Sequence, residues 1–154
     1  MVKISLTNNF NDEIIKLWQE AFGDSIEDIR FFLDNCKNMS CLTLRNDGEL
    51  CSMLFLVDAV ALNKKYKYIY AACTFEKYKK LGYMSRLLEF SQNDIGNLLL
   101  IPADDKLVDF YSKRGFNHKI DINGIIFNEC DEIKEYLFEG CRLKEPFALA
   151  FMGE

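Results

Sequence analysis

The rhythm of apolar and polar positions changes several times along the chain, and each change marks an element. Val2 to Leu6 alternates with period two and predicts a first strand. Ile14, Ile15, Leu17, Trp18, Ala21 and Phe22 then follow a helical period. Asn11-Asp12-Glu13 supplies the cap and first-turn acids of that helix, and Gly23 its stop. Ser25-Ile26-Glu27-Asp28 opens a second helix that turns Ile29, Phe32 and Leu33 inward. Cys41 to Arg45 and Glu49 to Leu62 flank the turn Asn46-Asp47-Gly48 as a hairpin. A further turn at Asn63-Lys64-Lys65 leads into a strand ending at Thr74, so three strands form an antiparallel meander. A helical pattern opens at Gly82. His118 to Ile122 and Ile125 to Asn128 flank Asn123-Gly124, as a tight hairpin or as one longer bulged strand. Asp131 to Cys141 predicts a helix with Ile133, Tyr136 and Leu137 on one face, and Pro146 to Met152 a closing strand.

Length bounds this picture. At 154 residues, 49% of them hydrophobic, the chain suffices for one well-buried core and is too short for two. No repeat, low-complexity tract or linker divides it, so a single domain over 1–154 is expected. The apolar runs are too short to span a bilayer, and Met1 to Thr7 lacks the build of a signal peptide; a cytoplasmic protein without a membrane partner is expected. The six cysteines form no C-x-x-C pair and His118 is the single histidine, which leaves no metal-site spacing and favours reduced, buried thiols.

Charge is unevenly spread. From Lys64 to Arg86 seven basic residues face one acid, a local balance of +6 in a chain of net charge −5. Such an island fits a small polyanion and is too compact for a nucleic-acid surface. Within it, a strand of aromatic and small residues, Tyr68 to Thr74, passes through a basic turn into the helix that opens at Gly82. Helix starts present unpaired N–H groups and the positive end of a dipole, and a glycine there lets an anion approach the backbone. The same residues also fit a solvated lysine loop with an ordinary turn glycine.

Two stretches together, Tyr68 to Leu88 and Leu98 to Phe116, resemble the GNAT-type N-acetyltransferase superfamily. Lys79, Gly82 and Met84 stand at the three fixed places of that family's Gln/Arg-x-x-Gly-x-Gly/Ala loop, of which Gly82 alone matches strictly. Its second motif, a short strand, a helix and a tyrosine four residues before Gly-Phe, is matched by Leu98 to Ile101, Leu107 to Arg114, Tyr111 and Gly115-Phe116. The resemblance covers residues 66–116 and implies an α/β fold with a mixed, mostly antiparallel central sheet, splayed between its fourth and fifth strands and carrying helices on both faces. It implies an acetyl-CoA-dependent acyltransferase that moves the acetyl group from the thioester to a primary amine by direct attack. Acetyl-CoA would be the co-substrate, a small molecule or peptide amine the acceptor, and a monomer or homodimer the working unit.

The resemblance also implies roles. Backbone N–H groups of Lys80, Leu81, Gly82, Tyr83, Met84, Ser85 and Arg86 would hold the pyrophosphate, with Lys79, Lys80 or Arg86 reaching other phosphates and Ser85 offering its hydroxyl. Met84, bulkier than the family's small residue, must direct its side chain elsewhere, into the core beside the helix. Tyr70-Ala71-Ala72-Cys73-Thr74 would carry a bulge, Cys73 and Thr74 would flank the pantetheine arm, and the N–H of Ala72 would face the acetyl oxygen. Tyr111 would protonate the leaving thiolate; by residue type alone it also fits a core position. Asp58, Glu76, Glu13, Glu20 and Asp24 are candidate bases and equally candidates for solvated acids. His118 and a nucleophilic Cys73 complete the candidates. Tyr66, Tyr68 and Tyr70 share one strand face, as a wall for the acceptor or as packing. The alternative function is an acyl-CoA-binding regulatory module without turnover, to which Met84, Lys79 and the unassigned base point.

Overall fold

The computed structural model describes residues 1–153. A first strand β1 (Val2–Thr7) leads through two helices, α1 (Asp12–Phe22) and α2 (Ile26–Asn35), into the meander β2 (Met39–Asn46), β3 (Glu49–Ala61) and β4 (Lys64–Thr74). There follow α3 (Tyr83–Asp94), β5 (Leu98–Leu100), α4 (Asp105–Ser112), β6 (His118–Ile120), β7 (Ile126–Phe127), α5 (Asp131–Phe138) and β8 (Ala148–Phe151). The strands form one sheet in the order β1-β2-β3-β4-β5-β8-β6, with β7 alongside the end of β3. Only β4 and β5 run parallel; every other pairing is antiparallel.

Local chemistry accounts for the first half. Asn11 accepts from the Ile14 N–H and Ser25 from the Asp28 N–H, as capping side chains do. The β2–β3 loop is the two-residue turn Asp47-Gly48, both at positive φ, between the paired Asn46 and Glu49. Tyr66 and Tyr68 point from β4 into a core cluster with Trp18 of α1, Phe32 of α2 and Leu137 of α5. Ile69 points the other way, into a second cluster with Leu87 and Leu88 of α3 and Tyr111 and Phe116 from α4 and its exit. Helices therefore cover both sheet faces, α1, α2 and α5 on one and α3 and α4 on the other. No helix among the described residues is long and apolar enough to cross a membrane.

The last third departs from the sequence reading. Asn123-Gly124 closes neither a hairpin nor a bulge. The Asp121 carboxylate accepts from the Asn123 N–H at 2.9 Å and a short 3-10 turn follows. Of the strands beside it, β6 pairs β8 while β7 pairs β3, each drawn to a partner distant in sequence. The helix read over Asp131–Cys141 ends at Phe138, and Gly140 at φ +86° starts an irregular segment leading to β8.

Burial sets an alkaline limit on stability. It pushes the Cys41 thiol from 9.0 up to about 12 and the Tyr111 phenol from 10.0 up to about 12. Below pH 9 folded and unfolded chains both hold these protons and the stability is intact. Above its ordinary value, 9.0 for Cys41 and 10.0 for Tyr111, each group ionises first in the unfolded chain and costs about 1.4 kcal/mol per pH unit until the folded value is reached. The urea midpoint is expected to fall steadily between pH 9 and 11, less steeply in Cys41→Ala; a flat midpoint would contradict it.

Candidate active site

The site begins where β4 leaves its neighbours. On the β3 side, Phe55 pairs with Tyr70 and Met53 with Cys73, so Ala71 and Ala72 together oppose Leu54 alone. Ala71 sits at φ +52°, in the left-handed region, which is uncommon for a residue with a Cβ and costs of the order of 1–3 kcal/mol. This is a β-bulge, and it turns β4 aside. On the β5 side, pairing is confined to Lys67 with Leu98 and Tyr68 with Leu99. Beyond Tyr68 the two parallel strands part, leaving Ala71 and Ala72 unpaired on both sides.

A cleft of about 370 Å³ occupies the opening. It is lined from one sheet face by Trp18, Phe22 and Tyr70, from the other by Leu107 and Tyr111, and along the gap by Ala71, Ala72, Leu100 and Ile101. It therefore passes through the sheet.

Tyr111 is held for this position. The Asp104 side chain caps α4 by accepting from the Leu107 N–H at 2.9 Å. At the other end Gly115, at φ +94°, reverses the chain, so that the Phe116 N–H donates to the Tyr111 carbonyl at 3.1 Å and the Gly115 N–H to the Ser112 carbonyl at 3.3 Å. Phe116 thereby packs 5.8 Å from the Tyr111 ring, with Phe110 at 5.3 Å on another side. The spacing of tyrosine to Gly-Phe is thus a device for locking one ring. Desolvation by burial dominates the Tyr111 environment, and the opposing fields of Arg114 and Asp104 are secondary; the phenol stays protonated at neutral pH.

The start of α3 does not line the cleft but meets the end of α4 through the Ser85–Arg114 contact. Gly82 at φ +82° turns the chain into the helix, and Lys80 at φ +66° precedes it. No backbone N–H from Lys80 to Ser85 finds an acceptor among the described residues; the first intrahelical bond runs from the Arg86 N–H to the Gly82 carbonyl at 3.1 Å. The helix has no side-chain cap and no acid in its first turn. Six free donors at a positive helix end are suited to an anion.

Among the side chains, Met84 packs against the second core cluster and does not line the cleft. Tyr83 lies edge-on to Tyr78 at 6.3 Å, and Leu81 is exposed. Lys79 pairs with Glu76 at 2.9 Å, while Lys80 and Arg86 stand in solvent. The basic island divides: Lys64, Lys65 and Lys67 begin β4, at the opposite end of that strand from the turn into α3. In compensation the fold supplies Arg114, overlooked in the sequence. It lies 3.6 Å over the Phe110 ring, donates to the Phe110 carbonyl at 2.8 Å, and reaches the Ser85 hydroxyl at 3.2 Å in the first turn of α3.

Cys73 and Thr74 return to register with β3, and the Cys73 carbonyl accepts from Ser52 at 3.0 Å. The Cys73 side chain is buried in the first core cluster, where desolvation raises its thiol pKa and disfavours the thiolate a nucleophile needs. Of the candidate bases, Asp58 pairs with Lys67, Glu13 with Arg45 at 3.0 Å, and Glu20 accepts from the Glu76 N–H at 2.9 Å. Asp24 alone of the five lines the cleft. His118 is exposed on β6 and outside it. Glu139 and Arg142 join Asp24 there, brought by the irregular segment after α5. The Glu139-Gly140 pair that stops α5 was the available signal for it.

No family model and no curated protein matches the chain. Solved structures do. A Bacillus subtilis acetyltransferase in complex with CoA aligns over 99% of both chains at 16% identity and a TM-score of 0.61. A GNAT family acetyltransferase from Elizabethkingia anophelis with acetyl-CoA bound aligns over 98% of this chain and 97% of its own, at 14% identity and 0.61. The Bacillus subtilis N-acetyltransferase YlbP in complex with coenzyme A aligns over 99% and 97%, at 13% identity and 0.63. The chain has the GNAT acetyltransferase fold, with the parallel β4–β5 pair splayed as the sequence resemblance implied.

Proposed function

We propose that this protein is an N-acetyltransferase that takes acetyl-CoA on the α3–α4 face of the sheet and a primary amine on the α1–α5 face. The observation that carries the reading is the through-sheet cleft, where the unpaired Ala71–Ala72 bulge and the Tyr111 phenol meet at one opening. Neighbours with this fold were solved with CoA or acetyl-CoA bound, which supports the donor assignment.

In this reading the N–H groups of Lys80 to Ser85 hold the pyrophosphate, the Arg86 N–H being taken by the Gly82 carbonyl at 3.1 Å, and Lys79, Lys80, Arg86 and Arg114 neutralise the remaining phosphate charge. The pantetheine arm lies in the gap beside Ala72, Cys73 and Thr74, where it takes the place of the missing β5 pairing. The substrate ammonium first gives one proton to solvent or a nearby carboxylate. The neutral nitrogen then attacks the thioester carbonyl, and the Ala72 N–H stabilises the oxyanion. As the C–S bond breaks, Tyr111 protonates the thiolate, and the second nitrogen proton restores the phenol through solvent. The products are the amide, CoA thiol and one released proton.

The alternative, a CoA-binding module without turnover, draws on Met84, Lys79 and the unassigned base; the packing of Met84 against the second core favours the transfer reading on the first of these. Calorimetric titration with acetyl-CoA, with ATP as the control for generic phosphate binding, is expected to give saturable binding at least tenfold tighter than ATP. Equal binding would refute the donor site.

A further inference from the structure

The acceptor side of the cleft has a charge pattern of its own. Asp24, Glu139 and Arg142 all line the cavity, and none of the three has an oppositely charged partner within the 4.0 Å of an ion pair among the described residues. Exposed charges are common on any surface. What distinguishes these is that they converge on one opening with fixed supports. The Asp24 carboxylate accepts from the Trp18 indole N–H at 2.8 Å, and Trp18 in turn stands edge-on to the Tyr70 ring at 5.8 Å. The Arg142 backbone N–H donates to the Ala103 carbonyl at 2.7 Å, which fixes that residue against the loop between β5 and α4.

Tyr70 lines the same cavity and comes immediately before the bulge. Its hydroxyl has no hydrogen-bond partner among the described residues. Burial first, then the negative fields of Asp24 and Glu139, raise the phenol pKa, so both carboxylates act at this one hydroxyl. An ammonium held by the two acids beside Tyr70 is therefore one residue away in the chain from the Ala71–Ala72 opening. A ligand with that ammonium alone would leave the Arg142 guanidinium unmatched. One carrying a carboxylate beside the ammonium, and an apolar body against Trp18 and Phe22, would match every wall.

Resting on the acetyl-transfer reading above, we infer that the acceptor is a free α-amino acid with an apolar or aromatic side chain, its ammonium held by Asp24 and Glu139 and its carboxylate by Arg142. A diamine would use the two acids and be repelled by the arginine. An acidic amino acid would place a second carboxylate against the aromatic wall.

The test uses binding, so that it stands apart from turnover. Phenylalanine, leucine and tryptophan, and their decarboxylated counterparts phenethylamine, isoamylamine and tryptamine, are titrated calorimetrically into the full chain saturated with CoA. At least one amino acid is expected to bind about tenfold or more tightly than its own amine, the loss typical of a charge-assisted contact. Arg142→Gln is expected to shrink that ratio to about threefold or less, with an unchanged thermal midpoint. Amines binding as tightly as the amino acids, no binding of any of the six, or a ratio unmoved by Arg142→Gln overturns the inference. Amino-acid binding without acetylation on adding acetyl-CoA would instead overturn the transfer reading and leave the acceptor site standing.

Discussion

Tyr111→Phe is expected to lower kcat by about two to three orders of magnitude, the usual worth of a positioned general acid. Its effect on the KM for acetyl-CoA should stay within about threefold, because in the proposed mechanism the phenol meets the sulfur only as the C–S bond breaks. The substitution is clean. The ring keeps its contacts with Phe110 and Phe116, the chain reversal at Gly115 is untouched, and no hydrogen bond of the hydroxyl to the protein is lost. With the phenol held up at about 12, the wild-type rate should show no limb from this group between pH 6 and 9. Steady-state kinetics of the two proteins across that range, with thermal midpoints as a folding control, would decide; a variant within threefold of wild type leaves Tyr111 as a packing residue only.

Gly82→Val is expected to act on the other substrate, raising the Kd for acetyl-CoA by about tenfold or more. Space is not the issue, since a Cβ at Gly82 would meet nothing within 4 Å. The backbone is. At φ +82° a residue with a Cβ costs roughly 1–2 kcal/mol, more for a branched one, and the chain would relax toward negative φ. That rotates the N–H groups of Leu81 to Met84 away from a common focus. Gly82→Asn is the control, because asparagine tolerates the left-handed region. If valine and asparagine weaken binding equally, the conformation of Gly82 does not organise the donor site.

Legibility in the sequence followed the range of the interactions that decide each element. The caps Asn11 and Ser25 and the Asp47-Gly48 turn are local, and each was readable from a few adjacent residues; the Tyr111 to Phe116 unit is equally local in its bonds but came from the resemblance. Asn123-Gly124 carries an equally plain local signal that loses to long-range pairing, β6 with the last strand and β7 with the third. The splay came from resemblance, because nothing in Tyr70-Ala71-Ala72-Cys73 itself announces a bulge. Arg114, Glu139 and Arg142 reach the site through chain reversals whose direction depends on what they pack against. Charge counted along the chain misled for the same reason: Lys64, Lys65 and Lys67 are neighbours of the turn in sequence and strangers to it in space.

The bulge in β4 also bears on how such a protein changes over generations. Tyr66, Tyr68 and Tyr70 are spaced by two and pack into or against the first core cluster; Cys73 belongs to that cluster too, three positions further on. The extra residue is therefore an insertion that leaves the pattern on either side in phase with the sheet. Loss of the single codon for Ala71 would restore an unbroken alternation, with Cys73 two places after Tyr70 and every side chain on its present face. Such a lineage would keep its core, its helices and its uncapped helix start, and would lose the opening between β4 and β5. On the acetyl-transfer reading proposed above, the distance from a transferase to an inert module on this scaffold is then one in-frame deletion, a change selection on folding alone would not oppose.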